Sequence, residues 1–185
     1  YYSSGCAGGT TIGAMACVSE RGGIPKLSNY PPYASRVETC QMKPGAMNLL
    51  APIQSVVVAE EGSDQDVQDI TANWGPAAVS VDGNRTSFML YSGGIYNDPK
   101  CNAIKPNHGM LVVGYSKSAN PPYYILKNSW GVDWGIEGGY SRWLMDNNFC
   151  GLANAAMAPS FIAAGSHLVP SLIMLAFFSL MRLLM

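Results

Sequence analysis

Charge is what this sequence is short of. Only 12 % of its 185 residues are Asp, Glu, Lys or Arg, against about 25 % in an ordinary soluble domain. The formal net charge is −1 and no basic run occurs, so nucleic acid is not expected as a partner and no field steers an ionic ligand. Histidine is scarcer still: His108 and His167 are the two present. Neither lies at ligand spacing from a cysteine, and none of Cys6, Cys17, Cys40, Cys101 and Cys150 sits in a C-x-x-C pair, so no zinc site is expected. The opening residues, "YYSSGCAGG", lack a charged n-region and an apolar h-region, so no signal peptide is expected here. With no initiator methionine either, the sequence reads as part of something longer.

Apolar residues are abundant at 48 %, with 20 glycines and 12 prolines scattered throughout, which suits a loop-rich mixed fold of one domain or two small ones. Five cysteines are many for a reducing compartment and an odd number for an oxidising one. Asn84-Arg85-Thr86 is a glycosylation sequon that agrees with secretion. The stretch 9–23 reads as a short helix stopped by glycines, 24–35 as extended and proline-punctuated, and 54–59 as a strand. Ser63 is a good N-cap for the helix "DQDVQDITANW", which Gly75-Pro76 closes. From Ala77 the period is that of strands: "AAVSVD", "GGIYND", "GMLVVGY", "YYILKNSW" and "GGYSRWL". Helices followed by a run of strands make an α+β fold with a β-sheet or small barrel in its second half.

His108 heads one of those strands. If "GMLVVGY" and "YYILKNSW" pair as a hairpin with Tyr115 opposite Tyr123, then Trp130 faces His108 and Asn128 faces Met110 on the same side of the sheet. A slip of one residue breaks this arrangement. An imidazole held by a neutral amide under an indole suits a cysteine nucleophile, because the amide oxygen accepts one ring N–H and leaves the other nitrogen to the thiol. On these residues alone the plainer reading stays open: a hydrogen-bonded core histidine, with Asn128 as a turn residue.

"NHGMLVVGY", "YYILKNSWGVDWGIEGGY" and "NNFCGLANAAMAP" resemble the catalytic-histidine, catalytic-asparagine and C-terminal segments of papain-like cysteine peptidases, the cathepsin L type especially. "GCAGG" resembles that family's G-C-x-G-G stretch, and the likeness runs in order from residue 5 to about 160. It implies a papain-like α+β fold: a partial helical first domain (1–58), an antiparallel, β-barrel-like second domain (59–160) and an apolar tail (161–185). It also implies cysteine endopeptidase activity without metal or organic cofactor, with His108 as general acid/base, Asn128 as its orienter, and Trp130 and Trp134 as cover. Gly8 and Gly9 match the glycines that pair with an extended substrate, and Thr10, Ser80, Pro106, Asn107 and Ala155 match the pocket for the side chain preceding the scissile residue. That pocket, lacking an acid, is expected to prefer an aliphatic or aromatic side chain. Cys101 and Cys150 match a disulfide within the second domain; Cys6 and Cys40 match cysteines whose partners lie upstream and are expected to be orphaned.

The family's nucleophile lies in a C-G-[SA]-C-[WY] motif upstream of the histidine, and no such motif occurs here. Cys17 reads instead as a small buried helix residue. Without nucleophile and oxyanion donor no acyl-enzyme forms, so the chain by itself is expected to be inactive. The alternative is a non-catalytic relative acting as a binding, structural or decoy protein. The implied partners are polypeptide substrates and protein inhibitors of cysteine peptidases, acting on a monomer in the lysosome or outside the cell. Residues 168–185 are almost wholly apolar; as a helix they rise about 27 Å against a bilayer core of roughly 30 Å. A membrane attachment, a lipid-anchor signal and a functionless extension all remain readings of that tail.

Overall fold

The computed structural model describes residues 4–34, 36–41, 49–50, 53–59 and 62–161. Helix α1 (Thr11–Glu20) starts where the Thr10 side chain accepts from Gly13 N at 3.2 Å, and it gives way at Arg21 to Gly22 and Gly23. The short strands β1 (Ile24–Pro25) and β2 (Leu49–Leu50) pair with each other. Single 3₁₀ turns lie at Gly5–Ala7 and Leu27–Asn29, the latter inside a stretch read from sequence as wholly extended.

The second half is one sheet. Its strands are β3 (Ile53–Val58), β4 (Ala77–Val81), β5 (Ile95–Tyr96), β6 (His108–Ser116), β7 (Tyr123–Lys127), β8 (Tyr140–Leu144) and β9 (Met157–Phe161), in the order β3-β9-β4-β6-β7-β8-β5. All neighbours are antiparallel except β5 and β8. The hydrogen bonds among the described residues leave β3 and β5 at the ends of this mostly antiparallel sheet, in keeping with the expected α+β fold. Strand β3 falls on the first-domain side of a boundary at Val58, yet it is paired along its length with β9 of the sheet.

Helix α2 (Asp64–Trp74) lies on this sheet. Ser63 Oγ accepts from Asp66 N at 3.1 Å and donates to the Asp66 carboxylate at 2.5 Å, and Asp64 adds a second acid to the first turn. The helix buries Val67, Gln68 and Ile70. Tyr124 on β7 donates its hydroxyl to Asp64 O at 3.0 Å, and burial pushes this phenol well above its ordinary range, so it stays a donor. A short helix, α3 (Thr86–Met89), follows β4 and inserts Phe88, which is fully buried.

Alternation fixes the core face. Ala77, Val79 and Val81 of β4, Met110 and Val112 of β6, Tyr124 and Leu126 of β7, and Ser141 and Trp143 of β8 are buried. Trp143 Nε1 donates to Ser141 Oγ at 3.0 Å, so the indole brings no unpaired polar atom into the core. The Tyr115–Tyr123 pairing assumed from sequence is off by one at the turn, where Tyr115 pairs with Tyr124 and Ser116 with Tyr123. A bulge between Val112 and Gly114 absorbs the extra residue, and beyond it Val112 pairs with Leu126 and Leu111 with Lys127. The register expected near His108 is therefore the one observed.

Cys101 and Cys150 form a disulfide with Cα atoms 5.1 Å apart and 49 residues of separation, a closure that contributes roughly 4 kcal/mol in the chain-entropy model. Cys17 departs from expectation: it is half-buried rather than enclosed. The described residues include no helix long and apolar enough to cross a membrane; the tail at 168–185 and His167 lie outside them. We expect Trp143→Ala to cost about 3–5 kcal/mol, read as a lower urea midpoint at unchanged slope.

Candidate active site

His108 opens β6, and its partner strand delivers Asn128 one residue past the end of β7. There Asn128 N donates to Gly139 O at 2.9 Å, which ties the asparagine to the start of β8. The His108 Nε2 to Asn128 Oδ1 distance is 2.8 Å, and Asn128 Oδ1 also accepts from Ser129 N at 2.8 Å. That second donor settles the amide's orientation, since a flipped amide would set its NH₂ against a backbone N–H. The amide oxygen only accepts, so the ring carries its proton on Nε2 and keeps the Nδ1 lone pair available. Asn128 is 8 % exposed, and its Nδ2 is buried with no hydrogen-bond partner among the described residues.

Trp130 lies against the imidazole, with ring centroids 4.9 Å apart and planes at 40°. Its outer face meets solvent, the residue being 41 % exposed. Behind it Phe88 joins the aromatic residues into one cluster, with centroid separations of 5.9 Å to His108, 5.1 Å to Trp130 and 5.0 Å to Trp134. Trp134 is fixed by its Nε1 donating to Met89 O at 3.1 Å. An imidazole with one nitrogen tied to a shielded amide and the other open is equipped for proton transfer.

The base of His108 is held by a network that the sequence did not announce. Asp82, 3 % exposed, follows β4 and takes hydrogen bonds from Asn107 Nδ2 (2.8 Å), Asn84 N (3.2 Å), Asn102 N (2.9 Å) and Arg85 Nε (2.9 Å). Asn107 in turn accepts from Gly83 N at 2.9 Å and donates its own N–H to Val81 O at 2.9 Å. Gly83 lies so close to the ring that a Cβ there would stand 2.6 Å from His108 Cβ. Asp82 N also donates to Cys150 O at 3.2 Å, which joins the disulfide to the same network. Burial pushes the Asp82 carboxyl upward, but the bonds from Asn102, Asn107, Asn84 and Arg85 outweigh it and hold the group below its ordinary value of 3.8.

The other sequence-assigned residues divide into two groups. Ser80 pairs with Gly109 beside the Val81–His108 pair, so Ser80, Asn107 and His108 share one end of the β4–β6 ladder. Ala155 is half-buried in the turn two residues before Met157, which pairs with Ala78 of β4. Pro106 is exposed on the approach to His108. Gly8, Gly9 and Thr10 belong to the α1 side and are exposed, Gly8 having a positive φ of 103°. Asn84 of the sequon is exposed in the turn before α3. Among the described side chains no cysteine is hydrogen-bonded to His108, the side chain of Cys6 not being among them. The described residues offer no cluster suited to a metal ion. A cleft of about 430 Å³ between β3 and α2, lined by Val57, Ile70 and Trp74 among others, includes none of these residues.

Comparison with known proteins bears on this geometry. The family described as papain family cysteine protease matches residues 1–160. Human cathepsin L2 is 37 % identical over 163 residues, covering 85 % of this chain and 48 % of that protein. The digestive procathepsin L2 proteinase of the Tenebrio molitor larval midgut superposes with a TM-score of 0.77 at 34 % identity, over 85 % of this chain and 49 % of that one. The bromelain protease of Ananas comosus, solved in complex with the E64 inhibitor, gives 0.75 at 29 % identity, over 86 % of this chain and 73 % of that one. The chain spans about half the length of the curated relatives it matches, 47 % and 48 % for the first two.

A folded-state value below the unfolded one means that Asp82 contributes stability above pH 3.8 that is lost as pH falls through the folded value. Asp82→Asn should therefore flatten the acid limb of a urea-denaturation series and cost about 1–3 kcal/mol at neutral pH. Some slope will remain from Asp98, whose carboxyl the Ser87 hydroxyl and Lys100 N also hold low.

Proposed function

Because this chain belongs to the papain family of cysteine proteases, we propose that it supplies the acid/base half of a peptide-hydrolysing site. The observation that carries the proposal is the 2.8 Å contact between His108 Nε2 and Asn128 Oδ1 beneath the Trp130 ring. His108 takes the proton of a cysteine thiol on Nδ1 and later gives it to the leaving amine, while Asn128 keeps the ring from turning. Trp130 and Trp134 keep water from the His–Asn bond. Gly8 and Gly9 bind the substrate backbone, and Thr10, Ser80, Pro106, Asn107 and Ala155 form a pocket for an aliphatic or aromatic side chain. A nucleophile from outside these residues completes the pair, so the 185-residue chain alone is inactive. Polypeptide substrates, protein inhibitors and an oxidising compartment, lysosomal or extracellular, follow from the same reading; the Cys101–Cys150 bond supports the compartment.

A second reading is a non-catalytic relative that binds peptides. One experiment separates them. The 185-residue chain, and the chain extended by whatever its message encodes upstream, are assayed on a fluorogenic peptide with phenylalanine before the scissile residue. We expect no turnover from the first and E64-sensitive turnover from the second, with His108→Ala lowering it by at least about 10³-fold at unchanged circular dichroism. No turnover from a well-folded extended chain would favour the binding protein, and near-normal cleavage by His108→Ala would refute the role of His108.

A further inference from the structure

Asn84-Arg85-Thr86 is the one Asn-x-Ser/Thr triplet in the 185 residues. It forms the turn between β4 and α3, with Arg85 in an extended conformation (φ −115°, ψ 132°) just before the helix starts at Thr86. An extended residue sends its side chain to the side opposite its two neighbours. Here Arg85 is the one that turns inward, its Nε donating to Asp82 Oδ2 at 2.9 Å. Asn84 and Thr86 are both exposed. Asn84 is held by its backbone, whose N–H donates to Asp82 Oδ1 at 3.2 Å, and among the described residues nothing engages its side-chain amide. The turn is therefore fastened from within by the buried Asp82 carboxylate, and a substituent on Asn84 Nδ2 displaces no observed contact.

We propose that Asn84 is the acceptor of an N-linked oligosaccharide, carried on the turn that backs His108. The donor is an oligosaccharide on a lipid pyrophosphate, and a membrane-bound transferase catalyses the step during entry into the secretory pathway. A bond forms between Asn84 Nδ2 and the anomeric carbon of the first sugar, and the bond from that carbon to the pyrophosphate oxygen breaks. The lipid pyrophosphate leaves with that electron pair, and the amide nitrogen gives up one proton. Attachment precedes folding, so the folded chain has only to leave room for the sugar, which the exposed Asn84 does. The neighbouring Gly83 packs against His108, and Phe88 of α3 lies 5.1 Å from the Trp130 ring. The oligosaccharide thus stands beside the candidate site and not on a remote surface. The inference rests on the oxidising compartment proposed above, which the Cys101–Cys150 bond supports, and not on His108 taking part in catalysis.

The test uses the 185-residue chain behind a cleavable secretion signal, translated in vitro with microsomes in an oxidising buffer. Loss of the signal reports that a molecule has entered the lumen. We expect the imported wild type to migrate more slowly by one glycan, a shift that an amide-cleaving glycosidase removes while leaving aspartate at position 84. The shift should vanish in Asn84→Gln and in Thr86→Ala and persist in Thr86→Ser. Non-reducing peptide maps should find Cys101 joined to Cys150 in the glycosylated chain and in Asn84→Gln alike. Three results would overturn the proposal: imported wild type without a shift, a shift that survives Asn84→Gln, or a glycosylated chain lacking the Cys101–Cys150 bond that Asn84→Gln retains. The chain extended by whatever its message encodes upstream is translated alongside. Its exclusion from the microsomes would overturn the compartment and the glycan with it, whereas import without a shift would overturn the glycan alone.

Discussion

The pairing of β6 with β7 is the constraint on which the candidate site depends. Side chains alternate along a strand, so a one-residue slip moves every residue to the other face. At the turn this hairpin runs in the register that would place Asn128 wrongly, with Tyr115 opposite Tyr124. The bulge between Val112 and Gly114 corrects it, and has a second consequence: Val112 and Tyr115, three apart, both pack against the core. The bulge thus satisfies the core on the turn side and the His–Asn contact on the other. Neither demand alone fixes its position, but both together leave little freedom.

A buried carboxylate stabilises the opposite flank of the histidine. An isolated charge at Asp82's depth would be costly, and here its oxygens meet two backbone N–H groups, an amide and a guanidinium. The donors come from chain positions 84, 85, 102 and 107. One carboxylate therefore gathers the turn after β4, the segment holding Cys101 and the residue preceding His108. The disulfide and the histidine are ends of one polar network, with the aromatic cluster around Phe88 packed beneath it.

Much of this was legible in advance, for identifiable reasons. Helix α2 could be read because Ser63, the early acids and Gly75-Pro76 act locally, and those interactions are the ones observed. The His108–Asn128–Trp130 grouping was legible because near the site it needed only a hairpin and a count of residues. Strand β9 was not, since alanines and a proline argue against a strand. Pro159 is tolerated because β9 pairs with β3 throughout but with β4 only at Ala78–Met157. Phe88 and Asp82 were missed because their importance comes from contacts far along the chain, which no local pattern records. Cys17 was misread for a related reason: helix periodicity does not record how far the rest of the chain covers a short helix.

The site's parts differ in what they need from the rest of the protein. Asp82, Asn107, His108, Asn128, Trp130 and Trp134 all come from one span of chain, and the interactions that place them run through β4, β6, β7, β8 and α3. None of those interactions involves a residue before Asp82 except the ladder along β4 itself. The glycines and threonine assigned to substrate binding have a different basis, resting on α1 and the turn before it. The His108–Asn128 geometry is therefore a property of the sheet, already set when the amide oxygen receives its two donors. Asn128 Nδ2 is buried with no hydrogen-bond partner among the described residues, and it is the amide oxygen that faces the ring.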